Sequence, residues 1–274
     1  MRYTRRFWYG VQCALLVQWG TPYCRRYAKE RRMYLGVQLY AFEKEYVLSE
    51  PDYVFRHLAE IGYQAIEMPF LMDVHTYTKK YNLQYSALHT GPDALNDLPE
   101  IISHLQSNDC QNLCISGPLA WHDRSLSNFQ KTCAFLNEKA ELLKSEGIKI
   151  HYHNHDFEFK CAEDEISPFE ILLEQLDPSL IQFCVDTGWL HMIGLDPVTF
   201  LKQYRHRISY AHLRDFLNGK SVALGQGSVD VASIVNELND NSSLEWLVVE
   251  HEPEDAALEK LSVSRSYLKT ELSL

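Results

Sequence analysis

The chain has 274 residues, of which 46% are hydrophobic, 12% aromatic and 23% charged, a balance that supports a full core and excludes a disordered or low-complexity protein. Its formal net charge of −11 argues against a nucleic-acid binder, because neutralising phosphates needs a basic face that this chain would have to assemble against its own average. No apolar run approaches the roughly 18–20 residues that span a bilayer, so the expectation is a cytoplasmic protein with neither a membrane nor a nucleic acid as partner.

Residues 1–32 differ from the rest. Arg2, Arg5 and Arg6 precede a short apolar stretch through Val17, and Arg25, Arg26, Lys29, Arg31 and Arg32 follow it. Gln12 and Gln18 break the stretch and no small-x-small cleavage site comes after it, so the segment reads as a disordered basic extension or as residues ahead of a natural start at Met33. The seven cysteines are odd in number and form no Cys-x-x-Cys pair, which points to reduced thiols rather than a disulfide framework or a thiolate zinc site.

From Tyr34 short β-like runs alternate with longer helical patterns, the signature of βα units on a parallel sheet. The β-like runs are 34–40, 63–68, 83–88, 112–116, 148–153, 181–185, 208–213 and 244–249. Between the first two, Val54, Leu58 and Ile61 recur at helical spacing over 52–61; after the fourth, Phe129, Cys133, Leu136, Ala140 and Leu143 do so over 126–145. Glu146-Gly147 is a helix stop and Ser167-Pro168 a helix start. Eight such units over residues 33–274, with no Gly-x-Gly-x-x-Gly turn after the first strand, predict a single-domain α/β protein, a (β/α)8 TIM barrel, rather than an open doubly wound sheet.

In such a barrel the loops at the C-terminal ends of the strands build the working face. Polar residues gather at those positions: Glu67, His89, the run His151 to His155, Asp186, His212, Asp215, and Glu250-His251-Glu252. Side chains alternate along a strand, which puts His151, His153 and His155 on one face. A lone histidine is more often a hydrogen-bonded structural residue, and a lone strand-end aspartate often caps the next helix. A His/Asp/His/Glu set drawn from four successive strand ends, however, offers the imidazoles and carboxylates that zinc, manganese or cobalt take.

The segments His151-Tyr152-His153-Asn154-His155-Asp156-Phe157-Glu158-Phe159, Val185-Asp186-Thr187-Gly188-Trp189, Ala211-His212-Leu213-Arg214-Asp215, Leu224-Gly225-Gln226-Gly227 and Val248-Val249-Glu250 together resemble the xylose-isomerase-like sugar phosphate isomerase/epimerase superfamily, which includes inosose dehydratases, ketose 3-epimerases and 3-keto-glycoside enzymes. The resemblance runs from about Tyr34 to the end. It implies one divalent cation, manganese or zinc, with cobalt and magnesium as further candidates, held by Asp186, His212 and Glu250. The fourth ligand in the family is usually a glutamate; here the matching residue is His153, with His155 as competitor, which puts the two-glutamate proton transfer of the epimerases in doubt.

The resemblance further implies a small carbohydrate substrate, a homodimer or homotetramer, and isomerisation or epimerisation of a sugar, ketose or inosose through a metal-stabilised enediolate, with dehydration as the second activity open to the same intermediate. Glu250, His153 and His155 are the expected catalytic residues. Glu67, His89, Trp189 and Arg214 are the expected substrate contacts, with Arg214 suited to a carboxylate or phosphate. Gly225 and Gly227 suit a tight turn, Gln226 could reach the site, and Asp215 could orient a metal ligand. The competing expectations are a barrel that binds a sugar or a protein without catalysis, and a relative of the abasic-site endonucleases, which the acidic charge disfavours.

Overall fold

A computed structural model describes residues 33–161 and 166–274; the basic extension expected over residues 1–32 lies outside the described residues. Eight parallel strands close into a barrel, β1 (Tyr34–Gln38), β2 (Ala65–Met68), β3 (Gln84–Thr90), β4 (Asn112–Ser116), β5 (Lys149–His153), β6 (Ile181–Asp186), β7 (Ile208–Leu213) and β10 (Trp246–Val249), each hydrogen-bonded to the next and β10 closing on β1. The hairpin β8 (Asp215–Leu217) and β9 (Lys220–Val222) stands apart as its own two-stranded sheet. All eight expected strands are present, and the barrel architecture is the one the alternation predicts. No helix among the described residues is long and apolar enough to cross a membrane.

The outer layer comprises α1 (Lys44–Ser49), α2 (Pro51–Ile61), α3 (His75–Tyr81), α4 (Leu98–Ser107), α5 (Leu126–Ser145), α6 (Pro168–Gln175), α7 (Thr187–Met192), α8 (Pro197–Tyr204), α9 (Val231–Asn239) and α10 (Ala257–Leu272). Helix α5 shows how sequence sets these boundaries. Ser125 Oγ accepts from Asn128 N–H at its start, while Phe129, Cys133, Leu136, Ala140 and Leu143 form the buried face toward the barrel. Each large apolar side chain buried this way contributes about 1.5–3 kcal/mol. Helix α6 begins with a full capping box, in which Ser167 Oγ takes Glu170 N–H and the Glu170 carboxylate takes Ser167 N–H.

Two local devices shape the working end. The β2–β3 and β6–β7 ladders shift register between Ile66 and Glu67 and between Phe183 and Cys184, irregularities that re-aim the side chains just beyond them. The second is the turn after β9. There Asp215, wholly buried, accepts backbone N–H groups from Phe216, Gly225, Gly227 and Val229, and a Cβ on Gly227 would lie 2.1 Å from Asp215 Oδ1. Asp215 therefore organises this turn rather than orienting a metal ligand, and Gln226 is exposed and stands outside the cavity at the barrel mouth.

Candidate metal centre

Strand β5 points His151 and His153 inward with different outcomes. His151, deep in the barrel, has both ring nitrogens matched, Nδ1 with Ser209 Oγ at 2.9 Å and Nε2 with Asn112 Oδ1 at 3.1 Å. His153 is equally buried, but its one hydrogen-bond contact is a weak one to a thiol, Cys184 Sγ at 3.8 Å from Nδ1. Burial, with the His212 and His89 imidazoles adding to it, holds the His153 pKa well below the usual imidazole range, so the ring is neutral and offers a lone pair.

Asp186 ends β6 and plays two parts. Its Oδ1 caps α7 by accepting Gly188 N–H at 2.9 Å and Trp189 N–H at 3.1 Å. The other oxygen, Oδ2, is buried 2.9 Å from Arg214 Nε, yet neither atom makes an aligned hydrogen bond. Burial raises the Asp186 carboxyl to about 6 against the opposing pull of Arg214.

His212 on β7 lies between two carboxylates, with Nδ1 2.5 Å from Glu250 Oε2 and Nε2 3.0 Å from Glu67 Oε2. Burial alone would lower its pKa; Glu67 and Glu250 outweigh burial and hold the imidazole well above its usual value. Glu250 is itself held well below the carboxylate range, because Arg214 and His212 outweigh its burial. Arg214 Nη2 donates to Glu250 and Nη1 donates to Glu252 Oε1 at 2.6 Å.

One ligand atom from each of His153, Asp186, His212 and Glu250 falls within 4.8 Å of the other three, all four residues buried. A neutral imidazole, a carboxylate oxygen lacking a hydrogen bond and a second carboxylate around one point fit a divalent cation, whose binding would displace the His212 Nδ1 proton. His155, the competitor for the fourth place, is outside this group; it lies beyond the last residue of β5, its ring stacked on Phe157 at 5.1 Å between centroids. Cys184 does fall within the same distance of His153 and His212, but burial pushes its thiol well above its usual pKa, so it stays protonated.

Above the cluster opens a cavity of about 490 Å³, walled by Gln38, Tyr40, His89, Ser116, Trp121, His155, Trp189, Arg214, Glu250 and Glu252 among others. Of the expected substrate contacts, His89, Trp189 and Arg214 line it. Glu67 does not: it is wholly buried and its oxygens face only protein donors, which corrects the expectation that it meets substrate. Arg214 reaches the cavity with its guanidinium already committed to carboxylates, so the expected role toward a substrate anion is not open to it without breaking those pairs. Gln38 and Ser116 end β1 and β4, and the strand-end rule that selected the other candidates reaches them too. Tyr40, the last residue of the β-like run 34–40, lies in the 3-10 turn Leu39–Ala41, and Trp121 sits in a loop where no periodic pattern marks it; the Trp121 ring fills the space where a Cβ on Gly117 would stand, at 2.2 Å.

A closed parallel barrel with a buried His/Asp/His/Glu group under a polar and aromatic cavity at the C-terminal strand ends defines an α/β-barrel protein of the kind that works on small molecules at that rim. The family of xylose isomerase-like TIM barrels matches residues 55–267, and the chain belongs to it. It is similar to the inosose dehydratase of Clostridium tetani, 30% identical over 161 residues, a match that spans 51% of this chain and 53%, about half, of that relative's length. Similarity to the inosose dehydratase of Geobacillus kaustophilus extends further, 24% identical over 252 residues and covering 75% of this chain and 81% of the relative. A sugar phosphate isomerase/epimerase from Parabacteroides distasonis shares the fold at a TM-score of 0.73 and 18% identity, over 88% of this chain and 96% of that one.

Proposed function

We propose that the protein is a divalent-cation-dependent dehydratase of a cyclic or open-chain keto-polyol of the inosose kind, with epimerase or isomerase action as the second reading. The observation that carries it is the convergence of His153, Asp186, His212 and Glu250 beneath a cavity whose wall includes His155 and Glu250. A bound manganese or zinc ion would supply Lewis-acid polarisation of the substrate carbonyl, so that negative charge developing on its oxygen costs less as a proton leaves the neighbouring carbon.

The chain's own groups then divide the proton work. Glu250, held ionised by Arg214 and His212, accepts the proton taken from carbon. His155 lines the cavity with its ring, while its buried Nδ1 lies 4.0 Å from Glu158 Oε1; from the cavity side the imidazole delivers a proton to the departing β-hydroxyl, which leaves as water. The substrate loses one proton and one hydroxide in total and becomes an unsaturated ketone, and the proton on Glu250 returns to His155 through solvent. Trp189 and Trp121 provide apolar surface for the carbon skeleton, and Gln38, His89 and Ser116 bond to its hydroxyls.

Two features favour dehydration over epimerisation. Both named relatives are inosose dehydratases. In addition, epimerisation by the two-glutamate route needs a carboxylate base on each face of the sugar, and one of those positions is His153, buried and neutral. Free buried thiols at Cys110, Cys114, Cys133 and Cys184 suit a reducing cytoplasm.

The test is proton NMR of inososes and ketoses incubated in heavy water with the manganese- or zinc-loaded protein. Formation of an unsaturated ketone supports the dehydratase; solvent exchange at one carbon with an epimer as product replaces it with the epimerase. No turnover of either class by loaded protein would sink both.

A further inference from the structure

Glu67 stands at the centre of the buried polar group next to the candidate ligands, and the sequence leaves it without a role once contact with substrate is set aside. Its Oε1 accepts from Gln38 Nε2 at 2.6 Å and from His89 Nδ1 at 2.7 Å; its Oε2 accepts from Tyr210 OH at 2.5 Å and from His212 Nε2 at 3.0 Å. A carboxylate only accepts, so every neighbour at these distances must present a hydrogen. His212 therefore carries its Nε2 hydrogen toward Glu67, and the nitrogen on the far side of the ring, Nδ1, is the one that faces Glu250 and the ligand cluster.

Resting on the cation reading above, we infer that Glu67 is a positioning residue that fixes the tautomer and ring orientation of His212 so that Nδ1 is the ligating atom. Carboxylates hydrogen-bonded to the distal nitrogen of a metal-bound histidine orient the ring and raise its basicity, and their loss typically weakens metal affinity by about 10–100-fold. The surroundings suit that task. The β2–β3 register shift lies immediately before Glu67, and Tyr210, itself anchored to Ser86 Oγ at 2.8 Å, pins the same oxygen that holds His212.

Glu67, His89 and His212 could be taken for a second metal site, since one ligand atom from each lies within 4.8 Å of the others. Their hydrogen-bonding capacity argues otherwise. Both Glu67 oxygens have two donors apiece, whereas Asp186 Oδ2 in the neighbouring cluster has no aligned donor. The same contacts give Glu67 reach to the cavity, because Gln38 and His89 both hold it and line the wall.

The experiment is titration of metal-free protein with zinc in competition with a chromophoric chelator, for wild type, Glu67→Gln and Tyr210→Phe, backed by the visible spectrum of the cobalt-loaded forms. Glu67→Gln keeps the volume but turns a donor toward donors. It is expected to bind zinc about 10–100-fold more weakly and to alter the cobalt spectrum. Tyr210→Phe, which removes one donor but leaves the Glu67–His212 contact in place, is expected to weaken zinc binding by less than Glu67→Gln does. Wild-type zinc affinity in Glu67→Gln, or equal weakening in Tyr210→Phe, overturns the assignment. If Glu67→Gln fails to fold, Glu67→Asp, which keeps the charge but withdraws it by one methylene, carries the test, and unchanged zinc affinity there overturns it. Failure of wild type itself to bind zinc, manganese or cobalt would instead remove the cation reading on which this rests.

Discussion

His151 and His153 share a strand, a face and nearly complete burial, and they differ only in what surrounds them. The deeper ring is satisfied on both sides by Asn112 and Ser209; the upper one meets a protonated thiol and the cluster that includes Asp186 Oδ2. The lower ring has both nitrogens matched as folded, whereas Asp186 Oδ2 in the upper cluster lies 2.9 Å from Arg214 Nε without an aligned hydrogen bond. A buried polar group left without an aligned hydrogen bond is costly, so the upper cluster is the place to test for a ligand, whereas the matched ring two residues away is accounted for by structure alone.

Arg214 offers the largest test of that contrast, because its charge balances the carboxylates of the upper site. Arg214→Met is expected to lose about 3–5 kcal/mol in urea unfolding without added metal, as expected when one partner of a buried ion pair is removed. Millimolar zinc or manganese should restore part of that loss, because a ligand of the native state stabilises by mass action. Indifference to metal would break the comparison.

The two histidines should respond in opposite ways. His151→Ala leaves Asn112 and Ser209 unpaired around a cavity and is expected to cost about 2–4 kcal/mol of stability while metal affinity survives. Replacing His153 with Ala leaves a cavity but no hydrogen-bond partner unpaired, so it should cost less stability than His151→Ala and reduce metal-dependent turnover by more than the about 100-fold seen when outer partners of ligands are lost. Calorimetric unfolding and turnover of both variants decide it, and equal behaviour would show that the partner count does not separate them.

Smaller effects sharpen the picture. A Cβ on Gly188 would lie 2.5 Å from Arg214 Cβ and 2.8 Å from Phe216 Cε2, so Gly188→Ala should cost about 1–3 kcal/mol through overpacking and loosen the Asp186 cap. At the weak end is thiol reactivity. Burial pushes Cys110 and Cys133 up to about 12, and only Cys161 of the five described cysteines is exposed. Iodoacetamide at neutral pH should therefore modify Cys161 and spare Cys110, Cys114, Cys133 and Cys184 in folded protein, as peptide mass mapping would show.

The sequence showed the strands clearly because each is a short apolar run that must be buried on both faces, and their C-terminal ends led to about half of the cavity wall. It overlooked the hairpin over 215–222 although Asn218-Gly219, at φ of 52° and 77°, is the strongest short signal for such a turn. Counting βα units passed over it. Asp186 met both readings at once, since one oxygen caps α7 and the other faces the cluster. The choice between His153 and His155 was not legible because it depends on where β5 ends, and the burial of Glu67 was not legible because it depends on four donors brought from β1, β3 and β7.

The most direct test of the account is isothermal titration of metal-free protein with manganese and zinc, comparing wild type with His153→Ala, Asp186→Asn and Glu250→Gln. Asparagine caps a helix about as well as aspartate, so Asp186→Asn separates the metal role of this residue from its capping role. The account predicts about one cation per wild-type chain, as in other single-ion sites, and loss of that binding in all three variants with folding preserved. Folded wild-type protein that takes up neither metal, or variants that bind as wild type does, would contradict it.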